Sequence, residues 1–418
     1  MFAHAVIPRR LRLAPAGLLA ALALAACSDD PSGPDTPDPQ VGTARRLLVG
    51  DAVDGGVRVV EVESGQMIAT LATRSPVTYM PADKSGRYAF AVQRTGDVVQ
   101  VIDGGIYQPS GSRTATRQAP ALLAMSLAGG LPTHGDVHGD WFATFLDGTG
   151  EVKLIDARTL AAAAPMTVTV ATGKAHHGAM MPMGDVVITT SPNSDPATTS
   201  TLPTGVDVRS IATGQVVQSF ATQCPGLHGE AATPNATAWG CTDGILILRR
   251  TGSAWASQKV PYTGEYAAAG IRSGTLFGHE SAPYFVAHMG ASKPAARVDV
   301  ATGALTPITL PGRAPGSTGY AFSEDGRSLL ALTPAGDLHV LNAATLSLRG
   351  TVAGVGVALA GPVPSGTRAS FLTAGGRYAY VGNPASGEVV EVSLETLAVT
   401  RRFAVGGAPQ RLTLLGAD

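Results

Sequence analysis

Short runs in which Val, Ile and Leu alternate with polar residues recur along the chain, each ending in a polar or Thr-Gly turn. They are VRVVEVESGQ (57–66), VVQVIDGG (98–105), VKLIDARTL (152–160), VDVRSIATGQ (206–215), ILILRRTGS (245–253), ARVDVATGA (296–304), LHVLNAATL (338–346) and VVEVSLETL (389–397). Their starts lie 41, 54, 54, 39, 51, 42 and 51 residues apart. A period of two marks strands rather than helices, and the turn after each run marks a hairpin. A further strand precedes several runs, as in GRYAFAVQ (86–93) and GRYAYVGN (376–383), and another follows, as in TRRFAV (400–405). Four short strands per unit at this period describe an all-β chain, a β-propeller. ARRLLVGD (44–51) reads as a second strand lacking a first, and APQRLTLLG (408–416) as a first strand with no unit after it. Pairing them completes one blade from both ends of the chain and hides the sheet edges. Residues 43–418 shared among eight units give about 47 residues each, so eight blades are expected, with seven as the alternative.

The first 42 residues break this pattern. Arg9, Arg10 and Arg12 precede an apolar stretch, LAPAGLLAALALAA, that is short for a membrane-spanning helix and has the flanks of a secretory signal. It ends in Leu24-Ala25-Ala26-Cys27, which resembles the lipobox of bacterial lipoproteins. That resemblance implies a signal over residues 1–26 and a lipid on Cys27, with an ordinary signal peptide cut after Ala26 as the alternative. The following SDDPSGPDTPDPQVG is too poor in apolar residues to fold and reads as a tether over 27–42, leaving 43–418 as a single domain in the cell envelope. A net charge of −1 leaves no footprint for nucleic acid, and 51 glycines suit many tight turns. With Cys27 set aside, Cys224 and Cys241 remain, and two thiols in an oxidising compartment are expected to pair.

Candidate chemistry is concentrated in the histidines. His134, His138, His176, His177, His228, His279 and His288 all lie between residues 134 and 288; His339 stands apart and reads as a surface residue of a middle strand. LPTHGDVHGDW (131–141), KAHHGAMMP (174–182) and GLHGEAATP (226–234) share a phase, each just after an outer strand and before the next second strand. That is the place of the innermost strand, which lines the channel. His134, His177 and His228 each precede a glycine there, in three consecutive units. Three imidazoles converging from one side, with a carboxylate or water, suit tetrahedral Zn²⁺. Asp136 and Glu230 lie two residues beyond His134 and His228, on the same strand faces, and His279-Glu280 can add a ligand from the next unit. His138 is roughly 13 Å along an extended strand from His134, too far for one ion unless the glycines bend the chain. The alternative is that these histidines fill a polar channel, leaving a tethered interaction scaffold without metal. No GxSxG, HExxH or CxxC occurs, so the chain reads as a binding protein and not an enzyme.

SPVTYMPADKSGRYAFAVQ (75–93), LPTHGDVHGDWFATFLDGTGEVKLID (131–156), AHHGAMMPMGDVVITTSPN (175–193) and CPGLHGEAA (224–232) resemble the periplasmic zinc metallochaperones of the AztD type, β-propeller proteins of the YVTN/WD40-like kind. The resemblance implies Zn²⁺ capture in the periplasm by a monomer and handover to the solute-binding protein of a zinc ABC importer. It carries His134, His138, His177 and His228 over as metal positions, with His176 as a near neighbour. Members of that family often carry a His/Asp-rich loop in an early blade. The corresponding segment, GGIYQPSGSRTATRQAPALL (104–123), has no His, Asp, Glu or Cys. The lipobox is a second departure, since a tether restricts reach.

Overall fold

In the computed structural model, residues 44–109, 115–268, 270–290, 293–311, 319–359 and 370–417 are described. The signal (1–26), Cys27, the tether (27–42) and Thr43 lie outside them, as does part of the 104–123 segment. No helix among the described residues is long and apolar enough to cross a membrane.

The apolar runs become strands whose burial follows their position in a blade. Second strands such as Tyr88–Gln93, Val186–Ser191 and Ala236–Cys241 are buried at every residue, since both faces meet a neighbouring blade. Fourth strands such as Met67–Ala72 are largely exposed. Seven four-stranded antiparallel sheets and one three-stranded sheet result. Apolar clusters fill the wedges between them, as where Met181, Ile188 and Val208 of one blade meet Trp239, Leu246 and Trp255 of the next. The chain is thus an eight-bladed β-propeller; the seven-bladed alternative is excluded.

The first blade is closed by both ends of the chain. Its sheet runs Met67–Ala72, Gly56–Glu61, Ala44–Asp51, Pro409–Ala417, the last two pairing from Ala44↔Ala417 to Asp51↔Pro409. Asp51 fastens this seam. Its carboxylate accepts from the backbone N–H groups of Val53 (2.8 Å), Asp54 (3.1 Å) and Ala408 (2.8 Å) and from the Arg58 guanidinium (2.8 Å). Burial opposes ionisation, but these donors outweigh it and hold the pKa down to about 2. Because the folded pKa lies below the unfolded one, the stabilisation is complete above about pH 4 and is lost as pH falls toward 2. Asp51→Asn is expected to lower stability by roughly 2 kcal/mol at pH 7. The gap, read by urea unfolding, should narrow below pH 4; a gap indifferent to pH would assign the effect to something other than this ionised carboxylate.

Two features depart from a uniform repeat. The inner segment of the second blade pairs only through bridges at Tyr79↔Val92 and Ala82↔Ala89, because Pro81, between them, has no N–H to give the ladder. An added ribbon, Ile106–Tyr107 with Thr116–Arg117, branches from the same blade, and Arg46 holds its base through the carbonyls of Gly104 and Gln118. Cys224 and Cys241 form a disulfide spanning 17 residues, which ties the connection from the fourth blade to Ala236–Cys241, the second strand of the fifth. A loop of that size contributes about 3 kcal/mol in the chain-entropy model.

Candidate metal centre

The third, fourth and fifth blades contribute innermost strands Pro132–His138, Met180–Met183 and Glu230–Thr233. Each carries a His-Gly pair, His134-Gly135 within its strand and His177-Gly178 and His228-Gly229 just before theirs. The glycines are required by close approach. A Cβ at Gly135 would meet Val92 Cγ2 at 2.6 Å, at Gly178 the Phe145 ring at 2.3 Å, and at Gly229 the Gly274 backbone at 2.7 Å. Without side chains there, each strand start lies tight against an adjacent blade and its histidine projects into the channel.

The three rings meet. Centroids of His134 and His177 are 5.7 Å apart, of His177 and His228 5.2 Å, and of His134 and His228 6.0 Å. One ligand atom from each lies within 4.8 Å of the others. Every ring is held from behind at Nδ1: His134 by Glu230 Oε1 (2.7 Å), His177 by Asp147 Oδ2 (2.8 Å) and His228 by the Gly274 carbonyl (2.8 Å). A carbonyl only accepts, so Nδ1 of His228 carries its proton, and the two carboxylates favour the same tautomer in the other rings. The three Nε2 atoms are thereby left as ligands, the arrangement in which outer carboxylates and carbonyls orient metal-binding imidazoles.

The electrostatics are graded around the cluster. Burial works against a charge on His134, but the Glu230 carboxylate outweighs it and raises the imidazole pKa. His228 goes the other way, lowered by burial despite its bond to Gly274. Burial would raise Asp147, yet its bonds to His177, Thr133 and the Gly178 N–H hold it down. Arg94, 2.9 Å from Asp147 Oδ2, balances that charge. Glu230 is likewise kept ionised, burial being outweighed by His134. Its Oε2 is buried without a nitrogen or hydroxyl donor. Asp136, next to Glu230, has its pKa raised by burial and by the Glu230 charge.

The other candidate residues fall outside the three-imidazole cluster. Glu230 of the fifth blade reaches past the fourth to His134 of the third instead of pairing with the nearby His228, and Asp136 stands next to Glu230. His138, opposite Trp141 at the far end of its strand, lines a cavity of about 580 Å³ with Asp136, Glu230, His279 and Glu280. Burial lowers its pKa, with Glu280 opposing. His279 uses Nδ1 on Ser281 and Nε2 on the Glu324 carbonyl (3.1 Å). His176 is spent on the Lys174 carbonyl and Thr190 Oγ1, both at 2.8 Å. His288 lines a different cavity, of about 290 Å³. His339, expected at the surface, is 4% exposed and bonds Thr351 and the Pro311 carbonyl; its strand is covered on the face that a half-exposed strand would show to water. Asp147, Arg94 and the Gly274 carbonyl are the partners that sequence reading missed. Asp147 had a visible signal, an acidic residue in the FLDGTG turn beside two of the histidine phrases, whereas a backbone carbonyl has none.

No family model matches the chain. Over 295 residues, 68% of this chain and 68% of the relative, it is 27% identical to the zinc chaperone AztD of Citrobacter koseri. Two solved structures of Citrobacter koseri AztD, one of them apo, superpose with a TM-score of 0.78 at 23% identity, covering 90% of this chain and 99% of theirs. Dihydro-heme d1 dehydrogenase NirN, in complex with DHE, reaches a TM-score of 0.58 at 16% identity, over 92% of this chain and 76% of its own, which shows the common propeller fold alone. The chain is thus similar in sequence to the zinc chaperone AztD of Citrobacter koseri and shares its fold, here an eight-bladed β-propeller.

Proposed function

We propose that this protein is a non-catalytic zinc carrier of the bacterial envelope. It captures Zn²⁺ as cargo on His134, His177 and His228 and hands it to the solute-binding protein of a zinc ABC importer. The observation that carries the reading is the set of three Nδ1 anchors, which direct three lone pairs to one point of the channel. Three nitrogens from the protein leave a fourth position open, as release to a partner requires. The cavity bounded by Asp136, His138, Glu230 and Glu280 adjoins the cluster through Glu230, which holds His134, and in this reading His138 is a residue the ion meets there. The 27% identity to a zinc chaperone supports the same assignment. In this reading Cys27 carries the lipid, and the 27–42 tether lets a monomeric propeller reach its partner.

The first test is the zinc content and competitive zinc titration of the chain from residue 43 onward, expected to give one tight site; absence of saturable zinc binding would sink the proposal. Transfer is tested by mixing the loaded protein with a metal-free solute-binding protein and following zinc between them.

The pH dependence of capture has a definite sign. Zinc needs Nε2 of His134 unprotonated, and Glu230 raises the pKa of that imidazole above its ordinary 6.5. Affinity should therefore rise with pH through neutrality and level off above the raised pKa. At pH 7 binding should release a proton, visible in calorimetry across buffers of different ionisation enthalpy. Zinc uptake without proton release at pH 6–7 would contradict the Glu230–His134 ion pair.

A further inference from the structure

The imidazole cluster is half of a longer arc. In blade order, Phe371, Arg411, Tyr79, His134, His177 and His228 touch in succession around the channel. Arg411 Cζ lies 3.7 Å from the Phe371 ring centre and 5.7 Å from that of Tyr79, and Tyr79 stacks on His134 at 5.7 Å. Arg411 sits on the closing strand Pro409–Ala417, opposite Gly50, where an added Cβ would come within 3.2 Å of the arginine's own.

Arg411, half-buried, differs from several other half-buried arginines of the blades. Arg58, Arg87, Arg94 and Arg401 each meet a carboxylate within 2.9 Å. Among the described residues Arg411 has no carboxylate and no hydrogen-bond acceptor, only two ring faces. A guanidinium has five N–H donors, and stacking by its faces leaves the edge free to donate. The Tyr79 hydroxyl beside it is also without a partner among the described residues.

We propose that Arg411 and the Tyr79 hydroxyl form an anion subsite in the channel beside the imidazole cluster, taking a small planar oxyanion of the carboxylate or bicarbonate kind. Edge-on hydrogen bonding to a flat oxyanion is what a guanidinium held by its faces can still do. Anion binding to the metal-free protein requires only this geometry. Its second consequence rests on the zinc-carrier reading. Arg94 pairs with Asp147, so a divalent ion on three imidazoles adds positive charge that Glu230 offsets only in part, and Arg411 adds more. A bound anion therefore strengthens zinc capture, and zinc strengthens anion binding by the same factor.

The test uses the chain from residue 43 onward, metal-free, titrated calorimetrically with sodium acetate and with sodium bicarbonate at constant ionic strength. Saturable binding at one site is expected, weakened about tenfold or more in Arg411→Met and several-fold in Tyr79→Phe. Tyr79→Phe keeps the ring stack, so it reads the hydroxyl even if Arg411→Met fails to fold. Zinc titrations with and without the same anion should show tighter capture in the wild type and no anion effect in Arg411→Met. Wild type without saturable anion binding, or variants binding as the wild type does, would overturn the subsite. Anion binding that persists in a protein that takes no zinc would overturn the carrier reading and leave the subsite standing.

Discussion

Replacing His134, His177 and His228 together by alanine is expected to abolish tight zinc binding, and each single replacement to weaken it about 100-fold. A four-ligand zinc site in a small domain is worth roughly 10–16 kcal/mol in apparent binding energy, so each ligand accounts for about 3 kcal/mol. The three sites should be nearly equivalent, because each ring is pre-set by a bond of 2.7–2.8 Å at Nδ1. Alanine also strips Glu230 and Asp147 of their imidazole partners and leaves buried carboxylates behind. Melting curves must therefore accompany the zinc titrations, and a variant that melts with the wild type is the informative one. The matching control is His176→Asn. That ring bonds Lys174 and Thr190 and gives nothing to the cluster, so the variant should lose stability and keep its zinc affinity. Equal zinc binding by wild type and a folded triple variant would remove the site altogether.

Glu230→Gln should lower zinc affinity 10–100-fold without removing a ligand, the usual effect of losing a carboxylate behind a metal-bound imidazole. The amide oxygen can still accept from Nδ1 of His134, so ring orientation is largely kept and the lost quantity is charge. Two further signatures separate this from a general loosening. The His134 pKa should fall once the carboxylate that raises it is gone, moving the pH dependence of capture to lower pH. Asp136 should become easier to ionise, because the neighbouring charge that raises it has been removed. Both are readable in a series of zinc titrations from pH 5.5 to 8.5. An unchanged pH profile with weaker binding would mean that Glu230 acts by packing alone.

The propeller was legible because its signal repeats. Eight alternating runs spaced by 39–54 residues, with unmatched strands at the two ends, leave few architectures that satisfy every edge. The three channel histidines were legible for the same reason: a shared phase in consecutive repeats translates into adjacent positions on one ring of inner strands. The glycine after each was visible as a pattern, while its cause, contact with Val92, Phe145 or the Gly274 backbone, comes from other blades. Side-chain identity and structural context part at other positions. His279 and His176 carry the same side chain as the cluster residues, yet their nitrogens are consumed by local hydroxyls and carbonyls. His339 looked like the polar half of an alternating strand, but it is buried against Thr351 and the Pro311 carbonyl.

Local residue order was thus enough for the strands, the blade count, the seam between the chain ends, the Cys224–Cys241 pairing and the height at which three imidazoles line the channel. Those properties follow from backbone periodicity and from repetition, both written in neighbouring residues. The partners of each imidazole emerged only when the ring closed. Glu230 serves a histidine 96 residues before it, Asp147 one 30 residues after it, and Gly274 one 46 residues before it. Arg411 reaches the same arc from the far end of the chain, beside Tyr79. A hydrogen bond is decided within about 3 Å, whereas the contacts that set it here join residues tens to hundreds of positions apart, and only the folded ring makes those two scales meet.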